Sequence, residues 1–258
     1  MSFLFNIGCY FRFGKKSNVM RAIIIIIALA VLWQLVIFIF KLPPYILPTP
    51  KKVLLQLYNY RHVIFINALP TIYEATAGFI LGSLIGIFAA VFVSYFQPAR
   101  HWFLPILLIS QALPTFVVAP LFVIWFGYGE ISKIVTCILM LFFPVTSAFY
   151  DGINKTDPGF LDLAKTMNAS KWQTLWQIKI PAALPALASG LRVAATFAPI
   201  GAIVGEWVGA SHGLGFLMLN ANARMQIDLM FAVLLIVIIL TLLFYFSIDR
   251  ILRKFIYW

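Results

Sequence analysis

Three stretches of this chain, at 22–40, 75–96 and 229–248, run for about twenty residues each without a charged side chain. An α-helix needs about 20 predominantly apolar residues to cross the hydrocarbon core of a bilayer. The first stretch contains five consecutive isoleucines and is long for the core of a signal peptide, so we interpret it as a retained anchor. The sequence therefore predicts an all-α membrane protein.

Composition supports the same conclusion. Of the 258 residues, 63% are apolar and 10% are charged, whereas about 25% are charged in ordinary soluble domains. The polar surface is too small to cover the protein in water, so much of the exterior is predicted to contact membrane lipid. A net charge of +11 would suggest nucleic acid in a soluble domain, but cations collect in the cytoplasmic loops of membrane proteins. We therefore expect no nucleic-acid partner.

Weaker apolar windows bring the expected number of transmembrane helices to about six. The third window contains three prolines, so a helix there must bend or be partly unwound. A polar segment at 151–183 separates the fourth and fifth windows. We predict an N-terminal cytoplasmic segment at 1–21 and a transmembrane domain at 22–258, with spans at about 22–40, 72–96, 102–127, 133–150, 184–209 and 228–248.

The distribution of basic residues predicts that both termini are cytoplasmic, because Lys and Arg accumulate in cytoplasmic loops. With the N-terminus inside, the cytoplasmic side collects Arg12, Lys15, Lys16, Arg21, Arg100, Lys155, Lys165, Lys171, Lys179, Arg250, Arg253 and Lys254. The outer side then holds Lys41, Lys51, Lys52, Arg61, Lys133 and Arg224.

The segment 151–183 is rich in helix signals. Asp157 is a good N-cap and Pro158 suits the first helical position, which predicts a short helix over 158–167. Asn168 tolerates the left-handed conformation and is predicted to form a sharp turn.

Ser170 and Gln173 then have the spacing of a capping box and predict a second helix, which we expect to stop at Pro181. This helix places Trp172, Leu175 and Trp176 on one face, which requires an apolar surface to cover it. A groove on a partner, the protein's own helix ends or the lipid interface would each serve.

The spacing within this segment resembles the EAA motif, E-A-A-x3-G-x9-I-x-L-P, of binding-protein-dependent ABC importer permeases. The matching residues are Asp162-Leu163-Ala164, Asn168 and Ile178-Lys-Ile-Pro181. The resemblance implies a type I importer permease fold in the bacterial inner membrane, with multiple passes and a coupling helix in this loop. The residues it implies for docking an ATPase are Asp162, Leu163, Ala164, Asn168, Trp172, Trp176, Ile178 and Pro181.

The same resemblance implies three kinds of protein partner. They are cytoplasmic ABC ATPase subunits, a second permease copy (expected as a homodimer) and a periplasmic substrate-binding protein. The stretch most similar to a phosphate-binding loop is Gly14-Lys-Lys-Ser17. It lacks the first glycine of the pattern, and Lys16 stands where the pattern needs Ser or Thr after Gly-Lys. No cofactor is therefore expected in this chain, and ATP and Mg²⁺ are expected on the partner ATPase.

Further motifs resemble one branch of that family. Leu47-Pro-Thr-Pro50 and Gly213-Leu-Gly215 are similar to permeases for sulfonates, taurine, nitrate and thiamine-precursor pyrimidines. Gly205-Glu-Trp-Val-Gly209 and the stretch 219–231 are most similar to hydroxymethylpyrimidine permeases. The resemblance implies import of such a pyrimidine, with a sulfonate, taurine or nitrate as the alternative.

The fifth span offers candidates for the translocation pathway. Charged groups at membrane depth are costly unless paired or hydrated, so Glu206 and Arg192 are predicted to face a cavity or the bundle interior. Pro199 and Gly201 are expected to break the helix and free backbone groups for solute. Alternatively, both charges reach the membrane interfaces. Glu74 is expected to be an acid at the start of span two.

Glycines recur every four residues in two spans, which predicts close helix packing. The positions are Gly78, Gly82 and Gly86, and then Gly201, Gly205 and Gly209. Packing within the chain and contact with a second copy both remain open.

Two other classes of protein are weaker alternatives. Gly209-Ala-Ser-His-Gly213 fits the G-x-S-x-G pattern of serine hydrolases, but span six lacks the histidine of an intramembrane protease, and Ser211 and His212 are expected to diverge. The spans alone do not exclude a passive channel. His62, His101 and His212 lie in separate loops, and Cys9 and Cys137 have no metal-type spacing, so no metal site is expected.

Overall fold

The computed structural model describes residues 15–96, 102, 105–107, 109–110 and 112–256. Regular structure within this part of the chain is helical throughout, which confirms the all-α prediction. The helices are α1 (Lys15–Phe40), α2 (Pro50–Asn59), α3 (Arg61–Tyr95), α4 (Thr115–Phe126), α5 (Glu130–Asn154), α6 (Pro158–Thr166), α7 (Lys171–Thr174), a π-helical turn (Leu175–Lys179), α8 (Ile180–Gly209), α9 (Leu214–Ala223) and α10 (Ile227–Phe255).

Five of the described helices are long and apolar enough to cross a bilayer. They cover the first, second, fourth, fifth and sixth predicted windows at Ile23–Phe40, Arg61–Tyr95, Glu130–Asn154, Lys171–Gly209 and Ile227–Phe255. The second begins at Arg61 rather than at 72.

The third predicted window, 102–127, contains a break at one of its three prolines, as expected. The chain leaves helical geometry at 113–114, and Pro114 is the N-cap of α4. With 12 residues, α4 is about 18 Å long, shorter than the hydrocarbon core. Residues 103, 104, 108 and 111 of this window and residues 1–14 of the predicted N-terminal segment lie outside the described residues.

The chain divides into two compact units, Met1–Tyr60 with Ala221–Ala232 and Arg61–Asn220 with Val233–Trp258. In the first unit, the Gln56 amide donates to Asp228 at 2.8 Å, and the rings of Trp33 and Phe231 lie 5.6 Å apart. None of the apolar window of α1 is buried within the chain, as expected of a helix that contacts lipid.

The second unit is built around α5, which packs against both α3 and α8. Its core combines large side chains on α5, such as Leu141 and Phe149, with small residues on α8, such as Ala195 and Ala202. Small residues let helix backbones approach closely, which increases the van der Waals contact that holds helices together in lipid.

The first glycine ridge, on α3, lies against α5. A Cβ at Gly78 would clash with Cys137, which is a free, buried thiol. One at Gly82 would lie 3.2 Å from Leu141 Cβ, and one at Gly86 would lie 3.1 Å from the Phe142 carbonyl oxygen. This ridge is therefore used for packing within the chain.

The second ridge, on α8, meets α5 and α4. A Cβ at Gly201 would lie 3.2 Å from Cys137 Cα, and one at Gly205 would lie 2.9 Å from Lys133 Cα. Gly209 packs on Val123 of α4. Cys137 thus occupies the point where both ridges meet α5, and both ridges are occupied by contacts within the chain.

Gly205→Ala is expected to destabilise the protein by about 1–3 kcal/mol, because the new methyl group meets the backbone of α5, which must shift. Thermal unfolding of the purified protein in detergent measures the effect. Gly129→Ala is the matched control, since a Cβ at Gly129 meets nothing within 4 Å. Equal melting temperatures for the two variants would contradict the close packing of α5 and α8.

Candidate functional site

The first short helix of the segment 151–183 forms as predicted. Asp157 caps α6 by accepting a hydrogen bond from the Gly159 N–H at 2.7 Å, and Pro158 occupies the first turn. The helix ends at Thr166, one residue before the predicted end. Local signals are sufficient here because the cap and the proline both act within one turn.

Asn168 adopts the predicted left-handed conformation, with φ = 51°. The Asn168 N–H donates to the Lys165 carbonyl at 3.0 Å, and the Ala169 N–H donates to the Ala164 carbonyl at 2.9 Å. These two bonds form a Schellman motif, which satisfies carbonyls at the end of α6. The turn between the two short helices is therefore fixed by backbone hydrogen bonds that require a positive φ at this residue.

The predicted capping box is present at the start of the second helix. The Gln173 N–H donates to Ser170 Oγ at 3.2 Å, and the Ser170 N–H donates to Gln173 Oε1 at 2.8 Å. The predicted stop at Pro181, however, is wrong. A π-helical turn over Leu175–Lys179 precedes the proline, and the helix then continues as α8. The wider turn gives the proline ring space that a regular α-helix denies it.

The segment 151–183 buries part of its apolar surface and exposes the rest. Ala164 and Leu175 are buried, with exposed fractions of 2% and 3%. Leu163 and Met167 are exposed, as is the Asp162 carboxylate, which pairs with Lys165 at 2.9 Å. The segment is thus anchored at two points and presents an apolar and charged outer surface.

Of the three side chains on the predicted tryptophan face, one is buried and two are partly exposed. Leu175 packs into the core, while Trp172 and Trp176 are about half exposed and lie 5.4 Å apart. Trp172 also contacts the ring of Tyr95 at the end of α3, at 5.4 Å. Ile178 and Pro181 are half-buried. The second short helix is therefore in direct contact with a membrane-spanning helix.

A buried ion pair joins α3 to α5. Lys133 Nζ lies 2.6 Å from Glu74 Oε1, and the two side chains are 2% and 0% exposed. The expectation that Glu74 opens a span is wrong, because α3 begins at Arg61. Lys133 was assigned to an outer loop and instead lies inside the helix bundle. Without Lys133, the predicted cytoplasmic side still holds more basic residues than the predicted outer side.

Glu206 is almost completely buried and holds the start of α9. Its Oε1 accepts from the Thr71 hydroxyl at 2.5 Å, and its Oε2 accepts from the Gly215 N–H at 2.5 Å. The Leu214 N–H donates to Thr71 Oγ1 at 2.9 Å, and the Gly213 N–H donates to Asn67 Oδ1 at 2.9 Å.

The first N–H groups of α9 are therefore capped by side chains of α3 and α8 rather than by a local residue. Gly213 has φ = +119°, and a Cβ there would clash with the Glu206 carboxylate. Sequence reasoning identified Glu206 as notable because it is charged at membrane depth, but it missed Asn67 and Thr71. Their spacing on one helix face is common and carries no signal of this role.

Arg192 binds the last helix. Its Nε donates to Asp249 Oδ1 at 2.7 Å, and Arg253 Nε donates to Asp249 Oδ2 at 2.8 Å. The expected break at Pro199 and Gly201 is absent, because α8 runs without interruption from Ile180 to Gly209. Arg192 and Glu206 therefore stay about 21 Å apart on one helix and have separate partners. A role for these four residues in translocation stays a prediction.

The expectation that the Ser211 and His212 side chains diverge is wrong. Ser211 Oγ lies 3.0 Å from His212 Nδ1, and both residues are exposed. In the described part of the chain, no carboxylate is hydrogen-bonded to His212, so the third group of a catalytic triad is missing there. The described residues also contain no group of three His, Cys, Asp or Glu side chains able to hold a metal ion.

The chain matches a known protein family and several relatives. A family model for the binding-protein-dependent transport system inner membrane component matches residues 82–257. A "Probable ABC transporter permease protein" of Haemophilus influenzae is 48% identical over 242 residues, covering 94% of this chain and 99% of that relative. The formylaminopyrimidine transport permease protein ThiX of Halalkalibacterium halodurans is 33% identical over 208 residues, covering 80% and 83%.

A third relative, the taurine transport system permease protein TauC of Escherichia coli, is 27% identical and covers 96% of this chain and 92% of that protein. Among solved structures, an inward-facing MetNI methionine ABC transporter chain superimposes with a TM-score of 0.66 at 19% identity, covering 76% of this chain and 97% of that one. This likeness shows the fold. The chain belongs to the family of binding-protein-dependent transport system inner membrane components and is a multi-pass ABC transporter permease.

Proposed function

We propose that this permease works in an ATP-driven importer and that the segment 151–183 is its contact with a separate ATPase. The observation that carries the proposal is the pair of short helices joined at Asn168, which is fixed at Ala164 and Leu175 and exposes Leu163 and Met167. An exposed apolar surface on a helix is typical of docking into a groove. The contact between Trp172 and Tyr95 provides a route from that surface to α3.

The partners follow from this role. Cytoplasmic ATPase subunits would bind ATP and Mg²⁺, and a periplasmic binding protein would deliver the solute. A second permease copy would complete the pathway, with both termini on the cytoplasmic side. Because the two glycine ridges are occupied within the chain, the contact between copies would use other surfaces.

For the solute we propose an aminopyrimidine precursor of thiamine, such as hydroxymethylpyrimidine. The support is the relative ThiX, whose name specifies formylaminopyrimidine and which shares 33% of its aligned residues with this chain. A sulfonate or taurine is the alternative, because permeases with those names are 28% and 27% identical.

Uptake measurements test the transport role. Cells or proteoliposomes with the full transporter are expected to accumulate labelled hydroxymethylpyrimidine only when ATP is supplied. Entry without ATP that only equalises the inside and outside concentrations would indicate a passive channel. Accumulation of taurine but not of the pyrimidine would move the assignment to the alternative solute.

Asp162→Lys is expected to reduce uptake by at least about tenfold, since it reverses an exposed charge on the proposed docking surface. The amount of protein in the membrane should not change, because Asp162 is exposed and its pair with Lys165 contributes little to stability. Lys179→Glu reverses a charge on the π-helical turn, and its effect on uptake tests whether the docking surface includes that turn. Full activity of Asp162→Lys would contradict docking through α6.

A further inference from the structure

A cavity of about 210 Å³ lies where three helix ends of the second unit meet. Tyr128 follows the end of α4, Glu130 and Lys133 lie in the first turns of α5, and Ser211 and His212 follow the end of α8. The turn that carries Ser211 and His212 leads directly into α9, whose first N–H groups are held by Asn67, Thr71 and Glu206. One wall of the cavity is thus fixed in position.

The cavity lies at the opposite end of the spanning helices from the segment 151–183. Helix α5 starts at the cavity with Glu130 and ends at Asn154, about 37 Å away, where that segment begins. Helix α8 runs back from that segment and ends at Gly209, which lines the cavity. A segment that docks on a cytoplasmic ATPase therefore places the cavity on the outer side, where solute arrives.

The charges that line the cavity favour a neutral or cationic ligand over an anion. Lys133 lines the cavity, but its ammonium is already paired with Glu74 at 2.6 Å. Glu130 is exposed, and no ion pair to it occurs among the residues that the structure describes. The free charge of the lining is therefore the negative charge of Glu130, which would repel a sulfonate.

The backbone around the cavity offers both donors and acceptors. Gly129 starts α5 without a side-chain cap, so the first N–H groups of that helix are available. Helix α8 ends with Ala210 in an extended conformation (φ −106°, ψ 149°), so no left-handed cap covers its last carbonyls. A ring with an acceptor nitrogen and an amino donor would be complementary to these two helix ends.

The volume indicates a small ligand. Cavities for drug-sized ligands enclose roughly 300–1,000 Å³, so 210 Å³ suits one substituted ring better than a fused ring system. Tyr128 and His212 add flat aromatic surfaces on which such a ring can stack.

We propose that this cavity binds the solute as it enters the permease, and that the solute is a single heteroaromatic ring whose amino group donates to Glu130. The proposal rests on the proposed function and adds to it the residues that contact the solute. It also selects the aminopyrimidine over an alkanesulfonate, because an alkanesulfonate offers no donor to the carboxylate and carries a negative charge.

Protection of a cysteine tests binding directly. Ser211→Cys is made in a Cys9→Ser background, and the complete transporter in right-side-out vesicles is labelled with a membrane-impermeant maleimide. Hydroxymethylpyrimidine at ten times its dissociation constant is expected to slow labelling about tenfold, since roughly a tenth of the sites stay free. Ethanesulfonate, an anion without an amino group, should have no effect. Unchanged labelling with the pyrimidine, in vesicles that import it, would overturn the proposal.

Uptake kinetics test the role of Glu130. Glu130→Gln is expected to lower kcat/KM for the pyrimidine about tenfold, because a charge-assisted hydrogen bond becomes a neutral one, while Glu130→Asp retains most of the uptake. Asn59→Lys makes the same change in net charge at an exposed residue that does not line the cavity, and it should match the wild type.

Equal effects of Glu130→Gln and Asn59→Lys would overturn the cavity assignment while leaving the importer role intact. Failure of the wild-type transporter to import any pyrimidine is a different result. That result would overturn the proposed solute. It would therefore also overturn the ligand assigned to the cavity.

Discussion

Lys133→Met is expected to lower the free energy of unfolding by about 3–5 kcal/mol, because it leaves the Glu74 carboxylate buried without its counter-charge. The two side chains are 2% and 0% exposed, so water replaces the lost ammonium poorly. Glu74 Oε2 already lacks a hydrogen-bond partner among the described residues. Equilibrium unfolding by SDS in mixed micelles measures the change.

Two controls separate the buried pair from a general effect of removing a lysine. Lys155→Met removes the cation of an exposed pair, with side chains 80% and 58% exposed, and should change stability by less than about 1 kcal/mol. The double variant Glu74→Leu with Lys133→Met should recover most of the loss, since apolar pairs commonly replace buried ion pairs without cost. A single Lys133→Met variant as stable as Lys155→Met would contradict the buried pairing.

The pair could not be predicted from sequence because its members are far apart in the chain and ordinary in their local setting. Lys133 follows a short polar stretch, Gly127 to Glu130, which is typical of a loop end, so the sequence places it among the outer cations. Pro70, four residues before Glu74, is typical of the first turn of a helix, so the local sequence does not show that α3 extends back to Arg61. Only packing of α3 on α5 reveals that the two charges neutralise each other.

The segment 151–183 was predictable because its structure is determined within single turns. Asp157, Asn168 and the pair Ser170 and Gln173 each act on backbone groups no more than four residues away. The error at Pro181 has the same origin. A proline forbids a regular α-helical turn before it, but a local rule does not show that packing of Leu175 and Ala183 in the core makes a π-helical turn the better solution.

The cap of α9, in contrast, could not be predicted from local sequence. Asn67, Thr71 and Glu206 serve a helix that begins at Leu214, so three residues outside α9 replace the local N-cap that sequence rules look for. The glycines around them were recognisable as packing positions, but their partners were not. Periodicity identifies which face of a helix is small, and the fold decides what lies against it.

Asn168→Val is expected to reduce uptake to a tenth of the wild-type rate or less while the protein still inserts in the membrane. A β-branched residue in the left-handed region costs about 1–3 kcal/mol. The Schellman hydrogen bonds to Lys165 and Ala164 depend on that conformation, so the strain is relieved by reorienting α6 relative to α7. A cost of about 1.4 kcal/mol lowers the ratio of the native turn to its alternatives about tenfold.

Asn168→Gly is the matched control because glycine removes the same side chain but adopts positive φ without strain. The two variants therefore separate the shape of the turn from any contact made by the Asn168 amide. If both abolish uptake, the amide itself is required and the geometric explanation is wrong. If Asn168→Gly is active and Asn168→Val is not, and both are equally abundant in membranes, the orientation of the two short helices limits coupling. Co-purification of the ATPase with each variant then shows whether the lost step is docking or the transmission of movement from Trp172 to Tyr95.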